Sequence, residues 1–67
     1  MSLVVINGQQ VDNAEKMTLK DYLVREGYVL SRIAVEYNGE IIPREAYGEK
    51  QLQDGDCLEI ISFVGGG

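Results

Sequence analysis

The chain has 67 residues, 45% of them hydrophobic, and a formal net charge of −5, which fits one small domain with its own core and argues against disorder. The acidic balance repels phosphate backbones and sets nucleic acid aside as a partner, and it favours encounter with a basic protein surface. One cysteine and no histidine remove an internal disulfide, zinc-ligand spacings and the usual Ser-His or Cys-His nucleophile pairs.

In chain order, the first signal is Asn7-Gly8, set between Leu3-Val4-Val5-Ile6 and Gln9-Gln10-Val11. Asn-Gly between apolar runs predicts a hairpin, because the tight turn needs positive φ at both central residues. A helix follows. Thr18 suits its N-cap, Asp21 stands at the third helical position in a variant of the capping box, and Met17 and Tyr22 hold hydrophobic-staple positions. Leu19, Tyr22 and Leu23 share one face, Asp21 and Arg25 are spaced for an ion pair, and Gly27 supplies the stop. The predicted helix is Leu19 to Glu26.

Asn38-Gly39 predicts a second hairpin, between Ile33-Ala34-Val35-Glu36-Tyr37 and Glu40-Ile41-Ile42. Pro43 ends it, and Arg44-Glu45-Ala46-Tyr47-Gly48 reads as a loop or short helical turn. Arg44 stands near several acids and is open to a salt bridge or a partner contact. Asp54-Gly55-Asp56 is a turn, and Cys57-Leu58-Glu59-Ile60-Ile61-Ser62-Phe63 is the last strand. No run is long enough to cross a bilayer, and no basic region precedes the first apolar stretch as in a signal peptide, so a cytoplasmic location is expected.

One helix cannot cover both faces of a sheet, so the expected class is α+β: a mixed sheet of about five strands with one helix across one face. Alternation then assigns sides. With Glu59 outward, Cys57, Ile61 and Phe63 are outward and Leu58 and Ile60 face the helix. With Glu36 outward, Val35 and Tyr37 face in. Val4 and Ile6 fall in the core, leaving Leu3 and Val5 outside. Val5, Ile61 and Phe63 are thus expected on an open apolar face beside the C-terminal residues, a candidate docking patch.

Catalytic chemistry is thin. Cys57 has acidic neighbours, Asp54, Asp56 and Glu59, the wrong sign to stabilise a thiolate. Asp54 and Asp56 flank a glycine and are turn formers first. No metal site and no phosphate-binding glycine loop is present. What remains is Val64-Gly65-Gly66-Gly67. Alone, that ending fits a frayed terminus as well as a displayed tail. Beyond Val64 it offers only backbone and a carboxylate, and an extended four-residue tail reaches roughly 13–14 Å into a narrow cleft. A carboxylate is a poor electrophile; activation with ATP makes it an acyl-adenylate that a sulfur nucleophile can attack, leaving a thiocarboxylate.

The segments Asn38-Gly39-Glu40-Ile41-Ile42-Pro43-Arg44-Glu45 and Leu52-Gln53-Asp54-Gly55-Asp56, with the ending Ile61-Ser62-Phe63-Val64-Gly65-Gly66-Gly67, resemble the ThiS-type sulfur carriers of thiamin biosynthesis. The resemblance covers essentially the whole chain. It implies a ubiquitin-like β-grasp fold, with residues 1–63 as the domain and 64–67 as a flexible glycine tail. It also implies that the Gly67 carboxylate is adenylated by a ThiF-type enzyme using ATP, converted to a thiocarboxylate, and passes sulfur to thiazole synthase, ThiG. The terminal Gly-Gly carries over to Gly66 and Gly67, with Gly65 one glycine beyond it. A sulfur donor such as a cysteine desulfurase stands behind the reaction, no cofactor is bound by the carrier itself, and the free chain is expected to be a monomer. Val5, Ile61, Phe63 and Val64 are the expected docking residues. Three other readings share the ending: the small subunit of molybdopterin synthase, a ubiquitin-like protein modifier, and a β-grasp binding module whose tail carries no chemistry.

Overall fold

The computed structural model describes residues 3–63. Two Asn-Gly turns build its two hairpins. Asn7 and Gly8 have φ of 52° and 79°, and Asn38 and Gly39 have φ of 50° and 90°, the positive pair that such turns require. The first turn joins β1 (Val4–Ile6) to β2 (Gln9–Val11), and the second joins β3 (Ile33–Tyr37) to β4 (Glu40–Ile42). β5 (Cys57–Ser62) completes a five-stranded sheet of order β2-β1-β5-β3-β4. It pairs parallel with β1 and antiparallel with β3, so the sheet is mixed and its last strand lies in the centre.

The helix α1 (Leu19–Arg25) starts as expected, with the Thr18 hydroxyl accepting from the Asp21 N–H at 3.1 Å. It ends one residue early: Glu26 is the C-cap, and Gly27 follows at φ 84°. Arg25 does not pair with Asp21. Its Nε lies 3.2 Å from Glu26 Oε2, and its guanidinium sits 5.5 Å from the Tyr22 ring centroid. Stacking on an aromatic face and an adjacent carboxylate compete with the helical i, i+4 partner.

Leu19, Tyr22 and Leu23 share one buried core with Val4, Ile6, Ile33, Val35, Tyr37, Leu58 and Ile60, the inward residues of the three central strands. Alternation therefore assigns the faces correctly for β1, β3 and β5. The core also holds Ala14, Tyr47 and Leu52, which lie outside the strands and α1. Short 3-10 turns at Ala14–Lys16, Leu30–Arg32 and Arg44–Ala46 carry the chain between elements.

The stretch after the last of these turns is tied to the helix start. Leu19 N–H donates to Lys50 O at 2.7 Å and Lys20 N–H to Tyr47 O at 2.9 Å, so two of the donors that a helix N-terminus leaves free are used. Leu52 N–H donates to Met17 O, and the Gln51 amide donates to the carbonyls of Glu15 and Met17. Among the described residues Arg44 makes no salt bridge; its Nε donates to Leu30 O at 3.0 Å.

Candidate functional site

β5 decides what the sheet presents around its last residues. Its burial alternates, with Leu58 and Ile60 inward and Cys57, Glu59 and Ile61 outward. Ile61 and Phe63 are each 52% exposed, and Ile41 of β4 is 65% exposed. Phe63 is held at the sheet margin by its N–H, which donates to Arg32 O at 2.7 Å. The apolar open face thus ends at Phe63, immediately before Val64. The expectations placed on Val64, Gly65, Gly66 and Gly67 lie outside the described residues.

Val5 needs correcting. It is half-buried, and the parallel register sets it opposite Cys57, at the start of β5. Cys57 and Ile61 are four residues apart, about 13 Å along a strand. Val5 therefore does not adjoin Ile61 and Phe63, and Glu59 lies between the two apolar groups. The reason is geometric: β1 runs parallel to β5 and reaches only its first part.

Two Asn side chains and one Asp fix where β5 sits. Asn7 Oδ1 accepts from Ile60 N–H at 2.6 Å, and Asn38 Oδ1 accepts from Cys57 N–H at 2.8 Å. Asp56 is buried at the mouth of β5 and accepts from the Tyr37 hydroxyl, from Asn38 Nδ2 at 3.1 Å and from Gln53 N–H at 2.7 Å. Burial, and then the bond to Asp56, push the Tyr37 hydroxyl well above its usual range. Asp54 remains a turn former, its carboxylate accepting from Leu3 N–H. The sequence pattern signals the turn but not this buried role of Asp56, which depends on Tyr37 arriving from another strand.

Cys57 is exposed and unpaired as a thiol, and its main chain is held by Asn38. A shallow cleft of about 180 Å³ at the β4 margin is lined by Tyr37, Glu40, Ile41, Ile42, Pro43 and Lys50. The Lys50 ammonium lies 4.6 Å from the Tyr37 ring centroid there. No helix among the described residues is long and apolar enough to cross a membrane.

This architecture, a mixed five-stranded sheet with its last strand in the centre and one helix across one face, has counterparts among known proteins. The model of the ThiS family matches residues 3–67. The chain belongs to the ThiS family. It is 38% identical to the sulfur carrier protein ThiS of Bacillus subtilis over 66 residues, covering 97% of this chain and all of that protein. A crystal structure of the thiamine biosynthesis protein ThiS from Geobacter metallireducens superposes with a TM-score of 0.75 at 34% identity, covering 97% of this chain and 99% of that one. The mixed sheet with one helix is thus the ubiquitin-like β-grasp fold of the ThiS family, as the resemblance implied.

The chain is also 41% identical over 64 residues to a thiazole synthase from Paramagnetospirillum magneticum. There it spans 96% of its own length but only 20% of that relative, and in a second thiazole synthase, from Magnetococcus marinus, 19%. The ThiS-like stretch is therefore about a fifth of each of those two proteins.

Proposed function

We propose that this ThiS-family chain is a sulfur carrier for thiazole formation in thiamin biosynthesis. The single observation that supports the reading most is the match to the Bacillus sulfur carrier over the whole of that protein. The Gly67 carboxylate attacks the α-phosphorus of ATP in the site of a ThiF-type enzyme, forming an acyl-adenylate and releasing pyrophosphate. Sulfide then attacks the acyl carbon, the bond to AMP breaks, and a thiocarboxylate remains. Where the donor is a persulfide supplied by a cysteine desulfurase, the same displacement gives an acyl disulfide, and a second thiol frees the thiocarboxylate by joining the donor sulfur in a disulfide. Gly65 and Gly66 give the terminus a path with no Cβ to obstruct it.

Thiazole synthase is the proposed acceptor of the sulfur, a reading supported by the two thiazole synthases that contain a ThiS-like stretch in one chain. In this scheme the chain is a co-substrate and its partners supply the catalysis and bind the ATP. Docking falls to Ile61, Phe63 and Val64, with Val5 at the far margin of the face. The cytoplasm is the proposed compartment, and the free chain is proposed to be monomeric.

Intact mass after incubation with a ThiF-type enzyme, ATP and sulfide tests the reading. The expected result is a gain equal to replacing one oxygen by sulfur, absent when Gly67 is deleted. A gain only with the molybdopterin-pathway adenylating enzyme transfers the chain to that pathway. No gain with either enzyme refutes the carrier role.

A further inference from the structure

The antiparallel register of β3 and β5 places Glu36 directly opposite Glu59. Both point to the open face, since their neighbours Val35, Tyr37, Leu58 and Ile60 are all buried on the helix side. Alternation from the Asn38–Cys57 and Arg32–Phe63 backbone bonds makes them a hydrogen-bonded pair, with Cα atoms about 5.5 Å apart. Like charges directly opposite one another work against the sheet. Among the described residues neither carboxylate has an ion-pair or hydrogen-bond partner. The Arg25 guanidinium is engaged at Glu26, the Arg44 Nε at Leu30 O, and the Lys50 ammonium lies over the Tyr37 ring.

The surroundings of the pair say what is to cover it. Ile41 lies across from Glu36 on β4, and Ala34 and Ile61 form the next cross-strand pair along the face, followed by Phe63. Ile41, Ile61 and Phe63 are all more than half exposed, so a partner that buries them removes water from the two carboxylates between them. Desolvated carboxylates without a counter-charge are strongly unfavourable. A second copy of this chain does not meet that need. A two-fold contact sets the same patch against itself, acid pair on acid pair, between chains that each carry −5.

We propose that the open face of the sheet docks a protein surface whose apolar patch carries a basic side chain, and that this cation sits on the Glu36–Glu59 pair. An arginine suits the place best, because its planar fork of donors can serve two carboxylates at once. The inference deepens the carrier reading and rests on it: β5 supplies Glu59 and Ile61 and ends at Ser62, beside Phe63, and in the carrier reading the protein that covers this face is the one that receives the terminus.

The test uses the full chain and its Glu36→Gln/Glu59→Gln double variant. Affinity for a ThiF-type adenylating enzyme and for thiazole synthase is measured by titration calorimetry at low and raised salt. Thermal unfolding and the thiocarboxylate mass gain are followed in parallel. The expected result is an affinity at least about tenfold lower at low salt for one or both enzymes, with a flatter salt dependence. The double variant should do this with a melting temperature equal to or above the wild type, because a repulsion within the sheet has been removed.

Unchanged affinity for both enzymes, with the wild type gaining sulfur normally, removes the docking role and leaves the carrier reading standing. Weaker binding accompanied by a lower melting temperature assigns the pair to the fold and likewise overturns it. A wild-type chain that gains no sulfur and binds neither enzyme ends both. A dimer of the free chain that Phe63→Asp dissociates gives the face to a second copy and overturns the basic partner.

Discussion

Asn38 grips Cys57 from both sides of its own residue: the main-chain N–H donates to Cys57 O at 2.8 Å, while the side-chain Oδ1 accepts from Cys57 N–H at the same distance. The residue that makes the second hairpin turn thereby also sets the start of the central strand. Its Nδ2 reaches Asp56 as well, so one side chain serves a turn, a strand and a buried carboxylate.

Replacing Asn38 by Gly separates these roles. Glycine accepts the positive φ without strain but has no amide to offer. We expect Asn38→Gly to lose about 2 kcal/mol of stability, from one neutral and one charge-assisted hydrogen bond. For a domain of this size that is a fall of about 10 °C in melting temperature. A variant as stable as the wild type would mean that the grip contributes nothing.

Tyr37 gives a pH prediction. Its hydroxyl is held above its ordinary value of 10.0 by burial and then by Asp56, and Tyr22 is raised too, by burial first and then by Glu26. The folded chain therefore keeps protons that the unfolded chain gives up. The resulting stabilisation is complete below pH 10 and shrinks as pH rises from there through the folded-state values. Chemical denaturation from pH 8 upward should show stability falling above about pH 10. Tyr37→Phe should flatten that fall while lowering stability at neutral pH.

Leu52 lies in no strand or helix, yet it is fully buried in the core. Leu52→Ala should cost about 2–5 kcal/mol, as at any well-packed leucine. For a chain this small, that approaches its whole stability. Urea unfolding measures the loss; a cost under about 1 kcal/mol would show that the loop closes over the space.

Phe63→Asp addresses docking. The ring is half exposed, so the change should move stability by no more than about 0.5 kcal/mol. Affinity for the adenylating enzyme or thiazole synthase should fall by at least about tenfold, the loss typical of an aromatic anchor at an interface. Equal affinity for both enzymes takes Phe63 out of the contact.

Gly66→Val tests the side-chain-free path. Thermal unfolding should match the wild type, while adenylation, followed by ATP–pyrophosphate exchange, should slow by about a hundredfold or more, because a misplaced terminus loses its alignment with the phosphate. Normal exchange would refute the steric argument.

Local chemistry made much of this fold readable. Thr18 caps the helix, both Asn-Gly pairs make the predicted turns, and period-two alternation sorted Val4, Ile6, Val35, Leu58 and Ile60 to the inside. What stayed hidden depends on pairing between distant segments. No pattern places Val5 opposite Cys57, and that register is what separates Val5 from Ile61 and Phe63. Tyr47 and Leu52 enter the core from an irregular stretch with no period to betray them. Glu36 and Glu59 each read as solvent-facing, but that they face each other appears only once β3 and β5 are in register.

The place of β5 between β1 and β3 has a mechanical consequence. A protein that draws the residues after Phe63 into a cleft pulls along the axis of β5. That load is carried in shear by two hydrogen-bonded ladders, so their bonds resist together. An edge strand under the same pull would have only one such ladder to share the load. The carrier can therefore be tugged by its end while the surface that identifies it stays assembled.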